Sequence, residues 1–220
     1  MTILANILLN CDHVDHLFFD FDGVIKDSVK IKSNCFKNLF PGASPNILNK
    51  IQDHHLKNGG MSRHEKIPIY MNFAGIELSS SKINSYLHEF STQSINSVVR
   101  SPWVAGILET LEILNNKMTL SIVTATTRPD MIKILKKLDI YCYFNLISGS
   151  ESSKSEAIRN QMSMLSLDPS QCIFIGDSIH DARAASTNNV TFFLRRTDYN
   201  QSLELMTPSP AYIFRDFLNG

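Results

Sequence analysis

Four short runs of apolar residues predict buried strands. They span residues 16–19, 120–123, 172–175 and 191–194, and a shorter strand is expected around residues 146–148. Apolar side chains occupy successive rather than alternating positions in these runs, which is typical of parallel strands that helices cover on both faces. From residue 100 onward, segments with apolar residues at helical spacing separate the runs. This order predicts βαβ units and therefore an open α/β fold.

Residues 30–99 show a different pattern, because they contain helical segments and no run that predicts a strand. The segments span residues 31–40, 47–57, 62–73 and 81–99. Pro68 lies inside the third of them and is expected to kink or shorten that helix. We therefore predict one core made of residues 1–29 and 100–220, interrupted by an all-helical insertion at residues 30–99.

The composition is that of a folded protein with no excess of either charge. Of the 220 residues, 43% are hydrophobic, and 21 Lys and Arg balance 21 Asp and Glu. This hydrophobic fraction excludes a disordered chain, and the charge balance speaks against nucleic acid or an anionic membrane as a partner. No run of 18 apolar residues is present, and the four cysteines are scattered without a metal-binding spacing. We therefore expect a cytoplasmic protein with reduced thiols.

Four aspartates follow the ends of predicted buried strands. Asp20 and Asp22 end the first run, and Asp177 ends the third, with Asp181 one helical turn later. Ligands of open parallel sheets bind beyond the carboxyl ends of the strands, and residues i and i+2 of an extended segment point to the same side. Gly23 allows a sharp turn directly after the first pair. The sequence therefore predicts that these carboxylates converge on one site.

Such a cluster needs a positive counter-charge, because buried carboxylates repel one another. Oxygen ligands without Cys or His favour a hard cation, and we expect Mg²⁺. Lys154 and Thr124 add a positive charge and a hydroxyl group, which suit a dianionic phosphoryl group. A carboxylate nucleophile would then form an aspartyl-phosphate that water hydrolyses. Each of these residues alone would be interpreted as part of a turn, as a helix cap or as a surface group. Their joint occurrence at strand ends favours a catalytic site instead.

Four motifs resemble those of the haloacid dehalogenase-like (HAD) hydrolase superfamily, over about residues 16–195. Residues 20–28 (DFDGVIKDS), 123–126 (VTAT), 153–155 (SKS) and 176–185 (GDSIHDARAA) resemble motifs one to four in order. The resemblance implies a Rossmann-like parallel core with a helical cap inserted after motif one, the C1 subclass, and the insertion at residues 30–99 fits it. Within this subclass the chain resembles the phosphoglycolate-phosphatase-like and β-phosphoglucomutase-like members.

The resemblance also implies a role for each motif aspartate. Asp20 would be the nucleophile and a Mg²⁺ ligand. Asp22 would be the general acid and base, and would bind the metal through its backbone carbonyl. Asp177 would ligate Mg²⁺, and Asp181 would ligate it or orient a bound water molecule. The presence of Asp22 favours phosphatase or phosphomutase chemistry, because the dehalogenases of the superfamily lack this second aspartate.

Substrate contacts are implied for the second and third motifs and for the insertion. The candidates are Gly60, Arg63, Lys66, Thr124, Ala125 and Lys154. Thr124 and Lys154 would bind the phosphoryl oxygens and so belong to the catalytic set. Caps of this superfamily act as lids, and Arg63 and Lys66 can present positive charge from a helix start after the flexible Gly60. A mobile loop followed by a capped helix with a solvated charged face is the alternative interpretation.

These observations predict a Mg²⁺-dependent phosphatase that acts on a small phosphorylated metabolite, either a sugar phosphate or a small-acid phosphate. A phosphomutase of the β-phosphoglucomutase type is one alternative, because it uses the same aspartyl-phosphate and a sugar hydroxyl as the acceptor. A non-catalytic regulatory module on the same fold is another, although such proteins usually lack a motif carboxylate and all are present here. We expect a monomer or a weak homodimer.

Overall fold

The computed structural model describes residues 1–220 and contains a six-stranded sheet in which every neighbouring pair of strands is parallel. The strands are β1 (His16–Phe19), β2 (Thr119–Val123), β3 (Leu146–Ser148), β4 (Cys172–Gly176), β5 (Thr191–Arg195) and β6 (Tyr212–Phe214). Their order across the sheet is β3-β2-β1-β4-β5-β6, so β1 lies in the interior of the sheet. The five strands expected from the apolar runs, and the parallel α/β fold, are confirmed.

Nine α-helices accompany the sheet. They are α1 (Ile3–Leu9), α2 (Val29–Asn38), α3 (Pro45–Lys57), α4 (Arg63–Phe73), α5 (Ser80–Arg100), α6 (Ile107–Asn115), α7 (Arg128–Lys137), α8 (Lys154–Leu165) and α9 (Ile179–Thr187). None of them combines the length and the apolar character needed to cross a membrane. Helices α2 to α5 follow one another between β1 and β2 with no strand between them, and we call them the helical insert.

The register of the central strands brings their polar ends to one edge of the sheet. Phe19 of β1 is opposite Ile122 of β2 and Ile175 of β4. The chain therefore leaves these three strands at nearly the same level, and the backbone N–H of Asp20 still donates to the Ile175 carbonyl at 2.9 Å. This is the edge at which open parallel sheets bind their ligands.

Hydrophobic side chains pack on both faces of the sheet and, separately, inside the helical insert. Leu17 and Phe19 of β1 belong to the cluster on one face, and Phe18 belongs to the cluster on the other. Within the insert, Phe36 stacks on Phe90 with 4.1 Å between the ring centroids. Burial of each large apolar side chain contributes about 1.5–3 kcal/mol. The insert therefore has a hydrophobic core of its own.

Helix α4 is not shortened by its internal proline. It runs from Arg63 to Phe73 with Pro68 in its interior. Pro68 lies in the second turn and removes only the hydrogen bond to the carbonyl four residues earlier. Its neighbours Ile67 and Tyr70 are fully buried, and their packing offsets that loss. Of the two expected effects of Pro68, the shortening is therefore wrong, and the kink stays a prediction.

Two elements lie outside the pattern that the sequence predicts. Helix α1 has seven residues and the edge strand β6 has three. Segments this short do not display a clear hydrophobic period, and their position is set by packing against the rest of the chain. Neither of them contributes to the polar edge of the sheet.

Candidate active site

Asp20 lies immediately after β1, and a lysine contacts its buried carboxylate. The Lys154 Nζ atom is 2.8 Å from Asp20 Oδ2 and 2.5 Å from Asp181 Oδ1. The other oxygen of Asp20, Oδ1, accepts a hydrogen bond from the backbone N–H of Phe21 at 2.7 Å. Lys154 is the first residue of α8 and is 8% exposed. The structure thus brings the expected nucleophile next to the expected phosphoryl-binding cation.

Three carboxylates form a group around this lysine. One oxygen of each of Asp20, Asp177 and Asp181 lies within 4.8 Å of the others. Burial raises the pKa of Asp177 well above its ordinary value, and Asp20 and Asp181 raise it further. Burial alone would lower the pKa of Lys154, but Asp181 and Asp20 hold it above its ordinary value. One lysine leaves this group with an excess of negative charge, which a divalent cation would compensate.

Asp181 also fixes the start of α9. The Ser178 hydroxyl donates to Asp181 Oδ2 at 2.6 Å, and the backbone N–H of Ser178 donates to the same oxygen at 2.9 Å. The second carboxylate oxygen, Oδ1, faces Lys154. The side chain that caps the helix is therefore also a candidate site residue, so the two interpretations of this motif do not exclude one another.

The Asp22 carboxylate lies outside this group of three. It forms an ion pair with Lys32 of α2 and accepts hydrogen bonds from the hydroxyls of Ser28 at 2.5 Å and Thr126 at 3.3 Å. Lys32 also donates to Thr126 Oγ1 at 2.7 Å. The first helix of the insert thus contacts the second aspartate of the first motif. The expected metal contact of Asp22 through its backbone carbonyl stays a prediction.

A cavity of about 230 Å³ opens between the strand ends and the helical insert. Its lining includes Asp20, Asp22, Gly60, Arg63, Lys66, Thr124, Ala125 and Asp177. Lys154 lies outside this lining and contacts it at Asp20. Gly60 has a φ of 83°, and a Cβ atom there would lie 2.8 Å from Ser178 Oγ. Glycine therefore lets the loop before α4 approach the start of α9 closely.

Both basic residues of α4 line the cavity, but neither is a free surface charge. Arg63 Nη1 is 2.6 Å from Asp130 Oδ2 of α7, and Nη2 donates to the Thr127 hydroxyl at 3.1 Å. Lys66 is 2% exposed, and its Nζ atom lies 3.0 Å from His55 Nδ1. The charge of Arg63 is thus matched by a carboxylate, whereas that of Lys66 is not.

Sequence reasoning missed several partners of these side chains. Lys32, His55 and Asp130 contact the predicted site residues although no motif marks them. Each lies on a helix whose position relative to the site is set only by the tertiary fold. Thr126 is the exception, because it lies within the second motif and could have been considered with its neighbour Thr124.

Comparisons with known proteins agree with the motifs. Residues 17–194 match the family of haloacid dehalogenase-like hydrolases. The chain is 24% identical over 215 residues to a phosphoglycolate phosphatase of Psychrobacter arcticus, covering 91% of each protein. It is 21% identical over 183 residues to a phosphorylated carbohydrates phosphatase of Thermotoga maritima, covering 80% of this chain and 82% of that one. The fold matches CbbY of Rhodobacter sphaeroides, solved in complex with phosphate, with a TM-score of 0.75 at 14% identity, covering 94% of this chain and 96% of that one.

The family match covers well over half of the chain and includes all four motifs. Asp20 of the first motif and the two aspartates of the fourth meet in the structure at one edge of the sheet, together with the lysine of the third. Sequence, geometry and fold therefore agree on the same assignment. The chain belongs to the haloacid dehalogenase-like hydrolases and is an enzyme of that family.

Proposed function

We propose that the chain is a Mg²⁺-dependent phosphatase that hydrolyses a small phosphorylated metabolite through an aspartyl-phosphate on Asp20. The observation that carries this proposal is the buried Asp20 carboxylate, with Lys154 Nζ 2.8 Å away and two further carboxylates beside it. A nucleophile, a cation for the phosphoryl oxygens and a cavity for the rest of the substrate thus occur together. The two relatives named above, both phosphatases by name, support a small phosphate ester as the substrate.

The proposed reaction has two steps that use the same two aspartates. In the first, an oxygen of Asp20 attacks phosphorus, the bond from phosphorus to the ester oxygen breaks, and Asp22 donates its proton to the leaving oxygen. In the second, Asp22 takes a proton from a water molecule that attacks phosphorus, which releases inorganic phosphate and the free Asp20 carboxylate. Lys154 and Thr124 bind the phosphoryl oxygens, on which negative charge develops.

The carboxylate group fits a hard divalent cation. Its three ligand atoms are oxygens and no Cys or His belongs to it. Burial, and next the charges of Asp20 and Asp181, raise the pKa of Asp177, so a cation that offsets this negative charge would be stabilising. Asp20 and Asp177 would hold Mg²⁺ together with the Asp22 backbone carbonyl, and Asp181 would ligate it or orient a bound water. When bound, Mg²⁺ supplies charge neutralisation for the phosphoryl oxygens.

We propose further that residues 30–99 form a cap over a core made of residues 1–29 and 100–220. Three contacts support this. Helix α2 forms an ion pair with Asp22, and the loop before α4 lies against the start of α9. Helix α4 forms an ion pair with α7 through Arg63 and Asp130. The insert thus touches the strand-end edge at several points, as a lid that encloses a substrate would.

Replacement of the nucleophile tests the proposed function. We expect Asp20→Asn to lower the turnover number for p-nitrophenyl phosphate at least about 1000-fold while the protein remains folded, because an amide cannot form the aspartyl-phosphate. Removal of divalent cations by a chelator should abolish the activity of the unmodified chain, and Mg²⁺ should restore it. Asp12→Asn, at an exposed position ahead of β1, is the matched control and should not change turnover.

Three outcomes would contradict this proposal in different ways. Mg²⁺-dependent turnover that persists in Asp20→Asn would show that another group is the nucleophile. Isomer formation from a sugar phosphate with a bisphosphate activator, without net phosphate release, would identify a phosphomutase. The absence of turnover for every phosphate ester in a broad panel would favour the regulatory module.

A further inference from the structure

Lys66 is a buried lysine in the substrate cavity that has no carboxylate partner. Its side chain is 2% exposed, and its hydrogen-bonding partner is His55 Nδ1, 3.0 Å from Nζ. An ammonium group has three N–H donors, so two of them find no acceptor within the chain. Burial, and next the charge of Lys32, lowers the pKa of Lys66 to about 7. A positive charge on Lys66 is therefore unfavourable unless an anionic ligand pairs with it.

His55 is held in the tautomer that accepts from Lys66. Its Nε2 atom lies 3.1 Å from the backbone carbonyl of Val29, so Nε2 carries the proton and Nδ1 is the acceptor. Burial lowers the pKa of His55 well below its ordinary value, and the ring is therefore neutral. Any positive charge of the pair is therefore located on Lys66, and both side chains line the cavity.

The other basic side chains beside the cavity that are partly or fully buried are already matched. Lys32 pairs with Asp22, and Arg63 pairs with Asp130. At the strand ends, Lys154 pairs with the carboxylates that surround the proposed phosphoryl site. Lys66 is therefore the buried positive charge of the lining that no carboxylate of the chain neutralises, and it is available for a group other than the transferred phosphoryl.

We infer that Lys66, positioned by His55, binds a second anionic group of the substrate, which makes the substrate a phosphate ester with a further carboxylate or phosphate rather than a neutral sugar phosphate. This inference rests on the proposed phosphatase function and narrows its substrate class. The ring of Phe36, whose centroid is 5.8 Å from Lys66 Nζ, lines the same part of the cavity. Apolar surroundings strengthen the attraction between the ammonium group and an anion.

The test uses small phosphate esters that differ only in the second group. Phosphooxy carboxylic acids of two, three and four carbons are compared with their carboxamides and with the bisphosphates of the corresponding diols. With Mg²⁺, we expect the full chain to prefer an anionic ester over its neutral amide on the order of 100-fold in kcat/KM, mainly through KM. In Lys66→Met this preference should fall to within about threefold. Lys82→Met, at an exposed position of the same insert, is the control and should keep the preference.

Binding measured by calorimetry without divalent cations, where the proposed reaction does not proceed, provides a readout that does not depend on turnover. The anionic esters should bind the unmodified chain more tightly than the amides, and Lys66→Met should lose this difference while its thermal unfolding stays cooperative. A preference for the acids identifies a carboxylate as the second anionic group of the substrate, and a preference for the bisphosphates identifies a phosphate. Either preference supports the inference if Lys66→Met abolishes it.

Two results would overturn the inference. One is equal use of anionic and neutral esters by the unmodified chain. The other is an equal loss for both classes in Lys66→Met, which would place Lys66 at the transferred phosphoryl group. If no ester is turned over, p-nitrophenyl phosphate included, the proposed phosphatase function is wrong, and the calorimetric comparison still decides the role of Lys66.

Discussion

Two lysines are buried beside the same cavity, one at the strand ends and one in the helical insert, and their surroundings are opposite. Lys154 is 8% exposed and lies 2.8 Å from Asp20 and 2.5 Å from Asp181. Lys66 is 2% exposed and contacts the neutral His55 but no carboxylate. Burial acts to lower the pKa of both. At Lys154 the two carboxylates reverse this effect, whereas at Lys66 burial prevails.

The folded protein compensates the charge of Lys154 with carboxylates. It provides no such partner for Lys66, whose charge we infer is paired by a ligand. Removal of one partner from a buried ion pair leaves the other charge uncompensated and is strongly destabilising. Removal of a lone buried cation relieves an unfavourable burial instead. The same substitution, lysine to methionine, should therefore destabilise the protein at Lys154 and, at a pH where Lys66 is charged, stabilise it at Lys66.

The largest effect is expected for Lys154→Met. Asp20 and Asp181 lose their shared partner, so we expect the free energy of unfolding, measured by urea denaturation without divalent cations at about pH 7.5, to fall by about 3–5 kcal/mol. Turnover of p-nitrophenyl phosphate with Mg²⁺ should fall at least about 1000-fold, because the phosphoryl oxygens lose a cation. Part of the lost stability should return at about pH 5, because burial already raises the pKa of Asp20 to about 7 in the unmodified chain.

Lys137→Met, at an exposed position of α7, is the matched control for this change. It should alter the free energy of unfolding by no more than about 0.5 kcal/mol. An unchanged stability in Lys154→Met would show that Asp20 and Asp181 do not depend on this lysine, and the contrast between the two sites would disappear.

Lys66→Met should give a smaller effect whose sign depends on pH. The lysine of the unfolded chain keeps its proton up to about pH 10.4, whereas the folded protein releases it near pH 7. Burial of the charge is thus most unfavourable below about pH 7, and the penalty fades at higher pH because the unfolded state binds more protons there. Between about pH 7 and pH 9, the stability of the variant relative to the unmodified chain should fall by about 2 kcal/mol.

Urea denaturation of both proteins at each pH measures this difference. The charged neighbours of Lys66, which are Lys32, Asp22, Glu65 and Lys154, are present in both proteins, so the comparison isolates the lysine itself. The loss of the donor to His55 Nδ1 lowers the stability of the variant by about 1 kcal/mol at every pH and does not change the slope. Parallel pH profiles would mean that Lys66 does not carry a buried charge.

The convergence of Asp20 and Asp177 can be predicted from the sequence, and the reason is physical. Consecutive apolar residues mark strands that are buried on both faces, so the polar residues directly after them, such as Asp20 and Asp177, must lie at one edge of the sheet. The structure confirms these strands and brings both aspartates together. Local order along the chain is sufficient for this part of the site because each residue is tied to the end of a strand.

The insert is predicted less completely, because its contacts depend on how helices pack. The basic residues of α4 were expected to present charge from a helix start, but the sequence does not show that His55 of α3 buries Lys66 or that Asp130 of α7 holds Arg63. Those partners are far apart in sequence, and no periodicity encodes the relative rotation of the helices. The difference between the two lysines is therefore visible only in the folded structure.

The smallest effect is expected for Ser91→Ala, because Ser91 contacts Asp130, the partner of the basic residue Arg63. Burial alone would raise the pKa of Asp130, but hydrogen bonds from Ser91 and Arg63 hold it below its ordinary value. The Ser91 hydroxyl of α5 donates at 2.6 Å to the same Asp130 oxygen that contacts Arg63. Ser91→Ala should therefore lower the free energy of unfolding by about 1 kcal/mol at neutral pH. This loss should disappear as the pH falls through the lowered pKa of Asp130, because the stabilisation requires the ionised carboxylate.

Ser85→Ala, at an exposed position of the same helix, is the control and should leave the stability unchanged within about 0.5 kcal/mol. Ser91→Ala also tests whether Arg63 keeps its ion pair with Asp130. The ion pair remains in Ser91→Ala, so the preference for anionic esters should stay as it is in the unmodified chain. An increase in that preference would show that Arg63 leaves Asp130 to meet the substrate. Arg63 and Lys66 would then both be available to an anionic group, and Lys66 alone would no longer set the substrate class.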